Sequence, residues 1–434
     1  MPRRNLHLLL AFTVVCLACG LRVSRFGRVL AYAMSEIDHR YLERIDRREL
    51  FEGAMEGMMG RLDDYSAYIA PDVLGQFQET IDQEFGGVGI EILLDPKTKQ
   101  LTVASPLVDT PAYKAGIRAG DKILRIDGKS TQGLSLEDAS ERMRGKPGDA
   151  VVLSILHPDE TEPEDVPIVR EMIQVRTVLG DTRNAEGVWN YFLDGEGYDR
   201  IGYLRINAFS EHTEQELEEA LDWLAEHDMQ ALILDLRNNP GGLLEAAIRI
   251  CDRFVHSGEI VSIRRRDGRI EQTFPAHEEG TFSGFPMAVL VNQLSASASE
   301  IVAACLQDNK RGAAVVGERS YGKGTVQDLI SLQTNQGMLK LTTASYWRPS
   351  GKNIHRPDGA PEDGQWGVSP DEGYEVKLEG DEISRLRDWR FHRDLYKPNG
   401  DNNLPGDNDP FEDYFDPQLA RAIEYVQEQI NRRP

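Results

Sequence analysis

Ser297, Lys323 and Gln327 are the residues in this chain whose types and spacing can do chemistry together. Ser297 lies in a small-residue loop, Asn292–Ser299, that follows the apolar run Met287–Val291. A helical pattern comes next, with Ile301, Val302, Cys305 and Leu306 on one face. A strand-like run, Ala313–Val316, then leads into the glycine-rich loop Gly317–Gly324, which holds Lys323. A serine hydroxyl is a weak nucleophile and needs a base within hydrogen-bond reach. An amine serves as that base only when neutral, and burial among apolar groups favours the neutral form. Gln327 can orient such an amine without adding charge. Ser297 at a helix start also places backbone N–H groups and the helix dipole where an oxyanion would develop. The chain has nine histidines, and this chemistry requires none of them.

Other readings of these residues stand beside that one. Ser297 and Glu300 match a capping box, a common way to begin a helix. Ser295 and Ser299 are neighbouring hydroxyls, and spacing does not choose among the three. Gly317–Lys323 fits most of a phosphate-binding loop, G-x-x-x-x-G-K-S/T, but Gly324 stands where the magnesium-binding hydroxyl belongs.

The whole stretch resembles the C-terminal processing, or tail-specific, serine peptidases. The matching segments are Ser297-Ala-Ser-Glu300, Leu306-Gln-Asp308, Gly317-Glu318 and Tyr321-Gly-Lys323-Gly-Thr-Val-Gln327. Ser320 replaces the usual threonine, and the stretch before the strand is one residue longer than the family's spacing. The resemblance implies that Ser297 is the nucleophile, Lys323 the general base and Gln327 the orienting residue. Asp308 matches an acidic family position and reads as structural. Asp235-Leu-Arg-Asn-Asn-Pro-Gly-Gly242 is similar to a second family segment. It implies an oxyanion hole made by the N–H of Gly241 or Gly242 together with that of Ala298. Arg348-Pro-Ser-Gly-Lys-Asn-Ile354 resembles a third. Leu62-Asp-Asp-Tyr-Ser66 resembles a fourth, with Asp64 where proline is usual.

Elements must position these residues. Ile201–Ile206 alternates as a strand, and Ala231–Leu236 reads as a buried one. Thr213-x-x-Glu216 reads as the capped start of a helix carrying Leu217, Leu221 and Leu224 on its apolar face. The helix Leu243–Val255 follows the glycine pair. Alternation of strands and helices points to an α/β core. Residues 180–200 read as a hairpin or a linker into it, and Leu339–Tyr346 as a further strand.

Upstream, Gly86-Gly-Val-Gly-Ile90 resembles the carboxylate-binding loop of a PDZ domain. Gly87, Val88, Gly89 and Ile90 are the peptide-binding candidates. Glycines let consecutive N–H groups converge on a terminal carboxylate, and the adjoining strand edge can accept an extended peptide. Pro111–Gly128 matches the rest of that module. Ser135–Met143 reads as a capped helix with Leu136, Ala139 and Met143 inward.

Composition limits the partners. The chain has 434 residues with 49 basic and 72 acidic side chains, a net charge of −23, which argues against nucleic acid. Of four cysteines, Cys251 and Cys305 fall in apolar helical patterns, and neither a disulfide framework nor a zinc site is indicated. Arg3 and Arg4 precede the apolar run Leu6–Leu21, as in a secretory signal or short membrane anchor.

The reading is therefore a multi-domain α/β protein. Residues 1–34 form a signal or anchor, 35–80 a helical region with Leu50, Ala54 and Met58 on one face, and 81–172 a PDZ domain. Residues 173–360 form a serine protease core. Residues 361–434 form a C-terminal extension, very polar over Asn399–Pro417 and ending in a helix. The expected activity is that of an exported, extracytoplasmic serine endopeptidase acting on protein or peptide substrates with free C-termini. No cofactor or metal is called for. A silent PDZ scaffold that binds partner C-termini is the alternative.

Overall fold

A computed structural model describes residues 25–433, apart from 96–97, 159, 185–186, 196, 310–311, 362–363, 395–410 and 412–413. Residues 1–24 of the expected 1–34 signal or anchor, and most of the polar Asn399–Pro417 stretch, lie outside the described residues. Among the described residues, no helix is long and apolar enough to cross a membrane. The chain divides into two compact units: Met1–Leu74 with Gln327–Thr342, and Gly75–Val326 with Thr343–Pro434.

The first unit holds helices Arg25–Arg40 and Arg47–Met59. Asp46 caps the second by accepting the Arg48 N–H at 2.8 Å. The expected apolar face is shifted: Met55 is the buried residue of this helix, and Met58 is 45% exposed. Strand Ala67–Ile69 pairs antiparallel with Lys340, Leu339 and Met338. Asp63 explains the Leu62–Ser66 motif. Its carboxylate accepts the N–H of Tyr65 and of Ser66, both at 2.9 Å, and the Thr342 hydroxyl at 3.1 Å.

The second unit is built on a parallel sheet. Strands Ile201–Ile206, Ala231–Asp235, Met287–Val291 and Ala313–Gly317 lie side by side in chain order. Period-two alternation divides their side chains between two buried faces. Leu232, Leu234, Val289, Val291 and Val315 face helices Thr213–Glu226, Leu244–Phe254 and Ala298–Asp308. Ile233, Ala288, Leu290, Ala314 and Val316 pack with Leu386, Trp389, Leu419, Ile423 and Val426. Those last five belong to helices Asp381–Asp394 and Pro417–Asn431. The segment expected as an extension thus forms the third layer of the core.

Thr213 and Glu216 do not form the expected cap. His212 precedes the helix, and the Glu216 carboxylate accepts the Thr177 and Val178 N–H groups at 2.7 and 2.9 Å. It ties down the incoming chain instead. Residues 180–200 contain the hairpin Thr182–Arg183 with Trp189–Asn190.

The PDZ-like part is a sheet in the order Ile90–Leu94, Leu101–Pro106, Lys122–Ile126, Ala150–Leu156, Glu164–Val169. Ile90–Leu94 is its edge strand, so among the described residues one side of that strand has no sheet neighbour. Ser135 caps helix Leu136–Met143 in a reciprocal capping box with Asp138. Ala139 and Met143 are buried as expected, whereas Leu136 is 40% exposed.

Candidate active site

All four parallel strands point their C-terminal ends the same way, so the loops after them gather along one edge of the sheet. In open α/β sheets this edge is where ligands bind. The loops following Asp235, Val291 and Gly317 carry the glycine pair, Ser297 and Lys323.

Ser297 sits in a strand-to-helix turn with φ 56° and ψ −113°. The Ser299 N–H closes this turn onto the Ala296 carbonyl at 3.1 Å. That is type II′ geometry, whose first central position normally takes glycine. Holding a serine there costs on the order of 1–3 kcal/mol, a strain typical of functional positions. The neighbouring hydroxyls are committed elsewhere. Ser295 Oγ donates to the Leu236 carbonyl at 2.8 Å, and Ser299 Oγ to the Asn239 carbonyl at 3.0 Å. Both side chains are fully buried.

Glu300 joins the serine turn to the lysine loop. Its Oε2 accepts the N–H of Ser297 and the N–H of Lys323, each at 2.8 Å. The two backbone nitrogens therefore lie within twice that distance of each other. Its Oε1 accepts Ser320 Oγ at 2.5 Å and the Gly322 N–H at 2.7 Å. Burial pushes this carboxyl up to about 7, while the four donors pull the other way. Sequence reasoning saw only the helix-capping part of this role, because the other three donors come from a loop some 20 residues on. Lys323 itself is half-buried. The phosphate-loop reading fails here, since the Gly322 and Lys323 N–H groups are turned to a carboxylate and a strand, Thr325–Ser331, follows.

The glycine pair reaches the same turn. A Cβ on Gly241 would lie 2.8 Å from the Ser297 Cβ and 3.0 Å from the Ala298 nitrogen. Only glycine allows this approach, and its φ of 103° also demands glycine. Asn239 fixes the loop. Its amide donates to the Ile206 carbonyl at 2.7 Å, its Oδ1 accepts the Gly241 N–H at 2.8 Å, and its carbonyl accepts the Ala296 N–H at 3.0 Å. The Gly241 N–H is thus already engaged, which narrows the expected pair to the N–H groups of Gly242 and Ala298. Asn239 was missed in the sequence, where it reads as one more turn residue.

Gln327 belongs to the other compact unit, where its amide donates to Thr342 Oγ1 at 3.1 Å. Asp308 forms a two-pronged pair with Arg348 at 2.8 and 2.7 Å and accepts the Ser350 N–H at 3.0 Å, pinning the Arg348–Ile354 loop. Burial opposes the charge on Asp308, yet Arg348 holds its carboxyl below the usual range.

In the PDZ-like part, Gly87 ends the strand Glu84–Gly87, paired with Glu171–Gln174. Val88 is buried, and its carbonyl accepts the Ala112 N–H at 2.9 Å. Gly89 has φ 79°, and a Cβ there would strike Thr110. Ile90 opens the edge strand.

The profile described as peptidase family S41 matches residues 200–373, and a PDZ domain profile matches residues 102–156. A carboxy-terminal-processing protease of Bartonella bacilliformis is 39% identical over 337 residues, 77% of this chain and 72% of that protein. The chain belongs to the carboxy-terminal-processing serine peptidases of family S41. A third profile, that of the activating protease CtpB N-terminal domain, matches residues 25–73 of this family member. A carboxyl-terminal-processing protease of Synechocystis is 38% identical over 78% of this chain and 74% of its own length. Among solved structures, a photosystem II D1 C-terminal processing protease is 26% identical, with a TM-score of 0.46, and the match covers 88% of this chain and 100% of that one.

Proposed function

We propose that this peptidase works through a Ser297–Lys323 dyad and cuts proteins near their C-termini after the PDZ domain has captured the tail. The observation that carries the reading is the single Glu300 carboxylate that accepts both the Ser297 and the Lys323 N–H. The commitment of the Ser295 and Ser299 hydroxyls to the Leu236 and Asn239 carbonyls supports the same choice of nucleophile.

In this mechanism neutral Lys323 takes the proton from Ser297 Oγ as that oxygen attacks the scissile carbonyl. The N–H groups of Gly242 and Ala298 receive the oxyanion, a contribution of about 3 kcal/mol per donor. The Lys323 ammonium then gives its proton to the leaving amine, and the new chain end departs. Water, deprotonated by Lys323, adds to the acyl-enzyme carbonyl; the bond to Ser297 Oγ then breaks, Lys323 returns the proton to that oxygen, and the carboxylate product leaves. The family resemblance gives Gln327 the orienting role. No step calls for a metal or a nucleotide.

Tail capture rests on the edge strand Ile90–Leu94 and the turn Gly87–Gly89 before it. A peptide can add to that edge as a further strand, its carboxylate against backbone N–H groups. The basic and apolar N-terminus, Arg3, Arg4 and Leu6–Leu21, supports export and work outside the cytoplasm, with membrane association through the same segment.

The test uses two unfolded substrates that differ only in a free or an amidated C-terminus. The free acid should be bound more tightly and cut faster, because amidation removes a charge-assisted acceptor. Equal binding and equal cleavage of the two would refute tail capture. No cleavage of either, with no labelling by a fluorophosphonate probe, would refute the dyad and leave a peptide-binding scaffold.

A further inference from the structure

Arg237 opens the loop that carries the glycine pair, and its side chain is only 4% exposed. Its guanidinium donates to Asp235 through Nε at 3.0 Å and Nη2 at 2.6 Å. Asp235 in turn accepts the buried Tyr203 hydroxyl at 2.7 Å. The remaining face of the guanidinium meets residues from the far end of the chain. Nη1 donates to Gln418 Oε1 at 3.0 Å, and Nη2 lies 2.7 Å from Asp416 Oδ2. Gln418 is itself held, through Nε2 on the Val376 carbonyl at 2.8 Å.

Asp416 does more than a helix cap requires. Its Oδ1 accepts the N–H groups of Gln418 and Leu419 at 3.0 and 3.1 Å, which completes the cap of helix Pro417–Asn431. Serine, threonine or asparagine would cap as well. A fully buried carboxylate is costly to place unless it is paired, and the second oxygen lies at ion-pair distance from Arg237, although the angle there is not that of a hydrogen bond. Asp416 and Gln418 are both fully buried. The cap therefore explains one oxygen of Asp416, and Arg237 the other.

From Arg237 the connection to the reacting centre is short. Two residues on, Asn239 bonds to Ile206, Gly241 and Ala296, and Gly241 lies against Ser297. Anchoring of Arg237 on both sides fixes where this loop leaves the strand.

We propose that Asp416 and Gln418 are positioning residues for catalysis, which hold Arg237 and through it set the glycine-pair loop against Ser297. The inference rests on the reading of Ser297 as the nucleophile. It makes the terminal helix part of the catalytic apparatus, although neither residue touches substrate.

The test compares Asp416→Asn and Gln418→Ala with wild type in the full-length protein, on a fluorogenic peptide. Asparagine keeps the cap and removes the charge facing Arg237. Gln418→Ala keeps the cap and both carboxylates. For Asp416→Asn, kcat should fall about 10- to 100-fold, as expected for a reacting geometry loosened by around an ångström, with KM within about twofold of wild type. Gln418→Ala should show a smaller loss of the same kind. The rate of labelling of Ser297 by a fluorophosphonate, normalised to folded protein by circular dichroism, should fall in parallel. A double variant, Asp416→Asn with Gln418→Glu, returns an anion to Arg237 and should recover part of kcat. Wild-type kcat in both single variants would overturn the proposal and leave Asp416 as a cap alone. A rise in KM with kcat unchanged would overturn it too. If wild type itself neither cleaves nor labels, the peptidase reading fails first, and that outcome is distinct.

Discussion

Replacing Glu300 by glutamine tests how the site is held together. The carboxylate has two acceptor oxygens serving four donors, two on each oxygen. An amide has one oxygen and brings an NH2 group that can only donate. With its oxygen at the Ser297 and Lys323 N–H groups, the NH2 faces Ser320 and Gly322. The Ser320 hydroxyl can turn and accept, but the Gly322 N–H cannot. One buried donor is then unpaired, at a cost of about 1–3 kcal/mol. The opposite rotamer strands two backbone donors, so the first is preferred. The thermal midpoint should therefore fall by several degrees, at roughly 2–4 °C per kcal/mol for a domain of this size. Gly322 would move off the amide, and Lys323, its neighbour, with it. A shift of about 1 Å in the base should lower kcat on the order of 100-fold while KM changes little. Melting curves and peptidase kinetics on the same preparation, taken well above pH 7 where the Glu300 carboxyl is ionised, read both effects. A Glu300→Gln protein with the wild-type midpoint and wild-type kcat would refute this account of the carboxylate.

Four further outcomes are expected. Stability should carry the signature of Glu300: its folded value of about 7 lies above the 4.5 of an open chain, so its contribution is complete below about pH 4.5 and is lost as pH rises through 7. Wild type should shed about 3 kcal/mol across that window by this group, and Glu300→Gln should not; parallel pH profiles of the two would count against it. Lys323→Arg should be nearly inactive, since arginine keeps its charge at any working pH, and most of the turnover retained would remove lysine as the base. Arg348→Lys cannot reproduce the fork on Asp308 and should cost about 1–3 kcal/mol in a denaturant melt, and an unchanged midpoint would argue against a structural Asp308. Gly89→Ala should weaken tail binding, read by titration with a labelled peptide, because the new Cβ strikes Thr110 at 2.3 Å in a backbone with positive φ; wild-type affinity would place the tail elsewhere.

What the sequence disclosed was local. Alternation marked Ile201–Ile206 as a strand, the apolar run Ala231–Leu236 marked a buried one, and the spacing of Ile301, Val302, Cys305 and Leu306 marked a helix, because period and burial are written in neighbouring residues; the structure has them at Ile201–Ile206, Ala231–Asp235 and Ala298–Asp308. Ser297 and Lys323 stood out through their motifs. What it withheld depends on residues far apart in the chain. Thr213 and Glu216 have the spacing of a cap but serve Thr177, Ser210 and Val178. Leu136 fits the helical period yet is 40% exposed at the first position of its helix, while Ala139 and Met143 are buried. Glu300 reads as a capping residue until the loop Ser320–Lys323 folds back on it. The last helix reads as an appendage, because nothing near Asp416 in sequence announces Arg237 as its partner.

The central claim is that Ser297 is the nucleophile of a peptidase, and one measurement meets it directly. Wild type and Ser297→Ala are treated with a fluorophosphonate probe, digested and mapped by mass spectrometry, with peptidase rates taken on the same samples. The account predicts a single adduct on Ser297 in wild type. It predicts neither adduct nor turnover in Ser297→Ala, in a protein that still folds, since the loss of a helix cap costs only about 1 kcal/mol. An adduct on Ser295 or Ser299, or wild-type turnover by Ser297→Ala, would contradict it.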